Sequence, residues 1–303
     1  MLRESIHTTI SRDEGYAMRG MAILAIMLHN FCHSIQGVTP ENEFGFLYAN
    51  LNSLTSPKDT LIEWLFDVLS FFGWYGVPVF MFLTGYGLVM KYERDHVPLY
   101  IGRFLKRNFL KLFFLMMPGV IALIILSLSR SLPHGYVGAY WIMDYLFQLT
   151  MLPDIIFPLR GPNPGVFWYF GLTMEFYIIY ALLIHRKPRW WMWATVAISL
   201  ILQFVTDPSS SAMEWIRHNA TGWTLVLVMG ILYGRSSHIG RRVAYATVIM
   251  SVLLVLPSML IFEPVSPSII PLVAYLCLAF LLALVFRPFT NACYRRYLRG
   301  RST

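Results

Sequence analysis

Long apolar stretches separated by short polar ones dominate the chain. A helix needs about 20 apolar residues to cross the hydrocarbon core of a bilayer. Eight stretches of suitable character are legible, at 18–36, 73–90, 109–129, 166–184, 190–206, 220–234, 243–262 and 268–286. Two further segments are apolar but shorter. In residues 60–72 (TLIEWLFDVLSFF), Glu63 and Asp67 stand four apart among apolar residues, the pattern of an amphipathic helix on the outer surface. Residues 139–152 (AYWIMDYLFQLTML) are interrupted by Asp144 and suit a re-entrant or interfacial segment. The pattern predicts an all-α integral membrane protein, a bundle of about eight to ten transmembrane helices. No internal repeat or long linker divides it. Residues 1–303 read as a single transmembrane domain with short cytoplasmic tails at 1–17 and 288–303.

Composition agrees. Hydrophobic residues make up 57% of the chain and charged residues 13%, against about 25% charged in a soluble domain. That excludes disorder and an ordinary soluble enzyme, because too little charge is present to cover a water-facing surface. Cys32, Cys277 and Cys293 are too few and too apolar in context for a disulfide scaffold. Residues 1–18 are polar and carry no signal-peptide pattern. The net charge of +8 would suggest nucleic acid in a soluble protein. In a membrane protein the side on which the charges fall matters more. With both termini cytoplasmic, only Lys58, Arg130, Arg160 and Arg217 lie outside, and the other 20 of the 24 Lys and Arg lie inside. This asymmetry supports an even number of crossings and leaves no call for a nucleic-acid partner.

Polar groups within the predicted crossings are the candidate chemistry, because an ionisable side chain in a bilayer is costly. The first crossing (MRGMAILAIMLHNFCHSI) carries His29, Asn30 and His33. His29 and His33 are four apart and share a helix face. Arg19 lies toward the cytoplasmic mouth, about 15 Å below His29. Packing glue between helices, a zinc pair and a general base or acyl carrier all fit such histidines, although no third ligand accompanies them. Glu175 is the one carboxylate well inside a predicted crossing, where it either pairs with a neighbouring helix or serves a site.

Arg103, Lys106, Arg107 and Lys111 recur at helical spacing and form one basic stripe leading into the third crossing. Anchoring at the cytoplasmic face and a phosphate site are both consistent with it. Gly73, Gly76, Gly85 and Gly87 punctuate the second crossing, and Gly76-Val77-Pro78 is expected to kink it. The outer loop FPLRGPNPGVFW carries Arg160 and Asn163 and ends in aromatics that suit either a bilayer belt or a sugar ring.

Four of these stretches, in order, resemble the membrane-embedded acyltransferase-3 family of bacteria, which includes O-acetyltransferases of surface polysaccharides and peptidoglycan. They are the opening helix with Arg19-Gly20 and its histidines, then FFGWYGVPVFMFLTGYGL, then YIGRFLKRNFLKLF, then WYFGLTMEFYIIYALL. From residue 190 onward only hydropathy matches. Asn30 stands where many members carry the histidine, and Thr173 where many carry a glutamate. The roles of His29 and His33 therefore stay open.

The resemblance implies transfer of an acyl group, most often acetyl, from cytoplasmic acyl-CoA to a hydroxyl of a surface glycan or its lipid-linked precursor. It implies a multi-pass protein of the bacterial inner membrane, with acetyl-CoA as co-substrate and no tightly bound cofactor or metal. Arg19, Arg103, Lys106, Arg107 and Lys111 would then hold the CoA phosphates. His29 would act as base or acyl carrier, with Asn30, His33 and Glu175 completing the catalytic set. Arg160, Asn163, Trp168 and Tyr177 would face the acceptor. One-step transfer and a covalent acyl-enzyme both fit. Buried His and Glu also suit the proton relay of a transporter or flippase for a lipid-linked or acidic solute. Paired broken helices in matched halves would mark that alternative, and the sequence displays no such symmetry.

Overall fold

The structure is a computed structural model that describes residues 5–7, 10–35, 37–39, 48–95, 97–131, 139–156, 167–207, 210–236 and 238–240. In chain order the helices are α1 (Arg12–His33), α2 (Tyr48–Thr55), α3 (Leu61–Phe72), α4 (Gly76–Val89), α5 (Ile101–Ser131), α6 (Ala139–Gln148), α7 (Pro153–Ile156), α8 (Trp168–Ile179), α9 (Arg189–Val205), α10 (Ser211–His218) and α11 (Ala220–Arg235). Two short strands, β1 (Ser5–His7) and β2 (His238–Gly240), pair antiparallel with Ile6 opposite Ile239. Apart from them the described fold is all-helical, as expected. The predicted crossings at 243–262 and 268–286 lie outside the described residues. The chain divides into two compact units, Met1–Met90 with Leu225–Thr303, and Lys91–Thr224.

In the first unit, α1 opens on a capping box. The Ser11 hydroxyl accepts from the Glu14 N–H at 3.2 Å, and the Glu14 carboxylate accepts from the Ser11 N–H at 2.7 Å. Such a cap contributes about 1 kcal/mol, so the helix begins ahead of the apolar stretch. Its buried face carries Met18, Ala22, His29 and Cys32. α3 starts behind Thr60, whose hydroxyl accepts from the Glu63 N–H. It continues through a 3-10 turn (Gly73–Tyr75) into α4 and a π turn (Met90–Arg94).

Residues 61–94 are thus one helical run. The helical geometry changes at Gly73–Tyr75, ahead of Gly76-Val77-Pro78 where the kink was expected. Pro78 falls in the first turn of α4, immediately behind the 3-10 turn. Segment 60–72 is helical as predicted, but its two carboxylates part company. Glu63 is exposed, whereas Asp67 is 2% exposed because a lysine and a backbone N–H hold it inside.

α1 packs against α3, the 3-10 turn and α4. Close approach depends on glycine: a Cβ at position 76 would strike the Ala22 carbonyl. Along α4 and α11, Gly85 lies against the Leu227 carbonyl and Gly230 against the Phe82 carbonyl. Small residues at such crossings let backbones touch where lipid supplies no hydrophobic drive.

In the second unit, α5 and α8 pack around Leu112, Met116, Val120 and Met151. Phe113, Phe167, Phe170 and Met174 close over that core. α8 ends in a π turn, Tyr180–Ile184. α10 was not legible as an element, since eight residues with Glu214, Arg217 and His218 give little apolar signal. Its Ser210 cap, which accepts from the Met213 N–H, explains why it forms.

Two runs, Leu61–Arg94 and Ile101–Leu126, are long and apolar enough to cross a membrane, and 168–184 and 189–205 are shorter apolar helices. Phe114, Leu115, Ile121, Ile125 and Leu126 on α5 are exposed, as are Trp193, Ile198, Ile201 and Phe204 on α9. Water disfavours apolar faces of this extent, whereas a bilayer covers them at no cost.

Candidate active site

The first unit brings both predicted histidines together. His29 is 5% exposed, His33 is half-buried, and their ring centroids are 5.0 Å apart. His29 Nδ1 lies 2.6 Å from the Ser70 carbonyl oxygen. A carbonyl only accepts, so Nδ1 carries the proton and Nε2 keeps its lone pair. The Ser70 hydroxyl donates to the Thr39 carbonyl at 2.6 Å and lies 3.4 Å from His33 Nδ1. With its own proton committed to Thr39, that hydroxyl accepts from His33 Nδ1–H. One serine thereby orients both imidazoles, by its backbone and by its side chain.

Ser70 is itself held. The Thr39 N–H donates to Asp67 Oδ1 at 2.7 Å, and Lys58 Nζ pairs with Asp67 Oδ2 at 2.6 Å. Ser53 Oγ accepts from Thr39 Oγ1 at 3.1 Å. Sequence reasoning missed Thr39, Lys58, Asp67 and Ser70 as parts of this site. A signal was present: Asp67, Ser70 and Gly73 recur every three residues and so share one face of the helix that meets α1. Gly73 seals the contact, because a Cβ there would stand 2.5 Å from both the Ala25 carbonyl oxygen and His29 Cβ.

Asn30 is exposed, and its amide Nδ2 donates to the Ile26 carbonyl at 3.0 Å on its own helix. Arg19 lies on α1, half-exposed. Beside His29, an apolar pocket of about 460 Å³ is lined by α1 from Met18 to Leu28 and by residues from Val68 to Val79.

In the second unit, Arg103, Lys106, Arg107 and Lys111 are exposed along the first turns of α5, as the stripe predicted. None forms an ion pair among the described residues. The Arg103 guanidinium lies over the Tyr100 ring at 5.4 Å, and Arg107 donates to the Tyr92 hydroxyl at 3.4 Å. The charges of Arg107 and Lys111 also reach Lys91. Tyr177 sets its ring edge-on to Phe104, next to Arg103 in sequence, at 5.7 Å. Trp168 is buried with its ring 5.9 Å from that of Trp223. Arg160 and Asn163 lie outside the described residues.

Glu175 accepts from the Ala220 N–H at 2.7 Å through Oε2, while its buried Oε1 accepts no hydrogen bond among the described residues. It has a companion that the sequence pattern did not single out. Asp154 on α7 is 1% exposed, with its carboxyl in the gap that Gly171 leaves on α8, one turn before Glu175. Burial first, and the Glu175 charge second, push Asp154 up to about 9, with the Leu172 N–H acting the other way. Among the described residues no three metal-ligating side chains gather.

Among the described residues the chain is helical apart from β1 and β2, with two runs long and apolar enough to cross a membrane and a buried histidine pair on α1. The acyltransferase-3 family model, described as an acyltransferase domain, matches residues 17–296, and the chain belongs to that family. No curated protein and no solved structure matches it.

Proposed function

We propose that this protein is an O-acyltransferase of the bacterial inner membrane, with both termini cytoplasmic. It moves an acyl group, acetyl by the family resemblance, from cytoplasmic acyl-CoA to a hydroxyl of a surface glycan or its lipid-linked precursor. Membership of an acyltransferase family supports the reaction type. The observation that carries the mechanism is the Ser70 carbonyl bonded to His29 Nδ1, which leaves Nε2 able to receive a proton.

In this mechanism His29 Nε2 takes the acceptor's hydroxyl proton as its oxygen attacks the thioester carbonyl. The tetrahedral intermediate then collapses, the C–S bond breaks, and the imidazolium returns the proton to the CoA thiolate. His33, held through the Ser70 hydroxyl, serves the arriving hydroxyl. Arg103, Lys106, Arg107 and Lys111 bind the donor's phosphates by charge-assisted hydrogen bonds.

The test is acyl transfer by the purified chain in lipid nanodiscs from radiolabelled acetyl-CoA to a bacterial glycan. Label should enter the glycan in a base-labile ester. No incorporation with any glycan fraction from bacterial envelopes would refute the reading. Replacing Arg103 and Arg107 together by alanine should weaken donor binding, measured by calorimetry, more than it lowers the maximal rate. Unchanged binding by the folded variant would leave these residues as membrane anchors.

A further inference from the structure

The pocket beside His29 has no role in a reaction limited to acetyl. Met21, Ala25 and Leu28 on one wall face Leu69, Phe72 and Val79 on the other, and Gly73 joins them. Its volume of about 460 Å³ falls in the range of small-molecule sites, about 300–1,000 Å³. An acetyl group would fill one corner of it. The lining offers almost nothing polar, so sugar hydroxyls and phosphates are excluded, whereas a hydrocarbon chain is suited along its whole length.

The pocket also adjoins the residues that flank the base. Gly73 lines it and packs on His29 Cβ, and Leu28 precedes His29 on the same helix. A thioester whose carbonyl is attacked beside His29 has its acyl tail at this wall.

We infer that the pocket between α1 and the α3–α4 run binds the hydrocarbon tail of the donor, so that the protein accepts fatty acyl-CoA as well as acetyl-CoA. This rests on the acyl-CoA reading above. Each methylene moved from water into the pocket should tighten binding by up to roughly fourfold. The gain should stop when the pocket is full.

The test uses non-hydrolysable S-alkyl-CoA thioethers, from ethyl to hexadecyl, titrated into the full chain in nanodiscs by calorimetry. Affinity should rise at least tenfold from ethyl to octyl and then level off. Met21→Trp and Leu24→Trp, which fill the pocket from α1, should each abolish the rise and leave ethyl-CoA binding within about twofold. Two variants guard against one that does not fold. A flat or falling series in the wild type overturns the inference and leaves acetyl transfer intact. A rise that survives in both folded variants also overturns it, because the tail then lies in the bilayer. No binding of any thioether defeats the acyl-CoA reading itself.

Discussion

At the scale of single residues, the account turns on how Ser70 holds His29. The backbone carbonyl makes that bond, so the side chain is dispensable for it. Ser70→Ala should therefore keep most acyl transfer, while losing the buried bond to Thr39, worth about 1 kcal/mol, from thermal stability. Loss of transfer with stability unchanged would show that the hydroxyl, through His33, is the essential contact.

Asp154 gives a second prediction. The folded chain keeps its carboxyl protonated to about pH 9, whereas an ordinary aspartate loses its proton near 3.8. Between those values the unfolded state binds fewer protons than the folded one. Stability should consequently fall as pH rises through this window, by at most about 1.4 kcal/mol per pH unit. Asp154→Asn should flatten the melting temperature between pH 5 and 9, within roughly the same limits. A variant that keeps the wild-type slope would assign it to another group.

At the scale of elements, the run from 61 to 94 does the most to build the site. Its first part carries Asp67 and Ser70, its 3-10 turn presents Gly73 to His29, and its remainder packs along α11. Asp67 was legible as a carboxylate but not as an inward one. Its partners, Lys58 and Thr39, come from outside the helix, and helical periodicity carries no record of them. Lys58→Ala leaves that buried carboxylate without its counter-ion and should cost about 3 kcal/mol, read as a lower melting temperature. The double variant with Asp67→Asn should recover part of the loss. A single variant as stable as wild type would mean that Asp67 protonates freely and that the pair is incidental. The basic stripe on α5 needed no such partner, and for that reason its spacing alone located it.

At the scale of the whole molecule, hydropathy located the apolar stretches within α1, α4, α5, α8, α9 and α11, but divided the continuous run 61–94 into a surface helix at 60–72 and a crossing at 73–90. It missed α10, which is short and capped by local hydrogen bonds. The histidines stood out because polar groups are out of place in an apolar helix. Ser70 and Asp154 did not, since both act through contacts between residues distant in sequence, Ser70 with His29 and Asp154 with Gly171. The exposed apolar faces of α5 and α9 and the family membership both suit a bilayer, where a dry site would protect the thioester from water. The central claim is that His29 supplies the base. Its most direct measurement compares wild type with His29→Ala for radiolabel transfer to glycan and for acetyl-CoA binding, in the same nanodiscs. The account predicts a loss of transfer of about 10²-fold or more, with the donor dissociation constant within about twofold. Near-normal transfer by His29→Ala would contradict it, and an inactive His33→Ala alongside would move the base to His33.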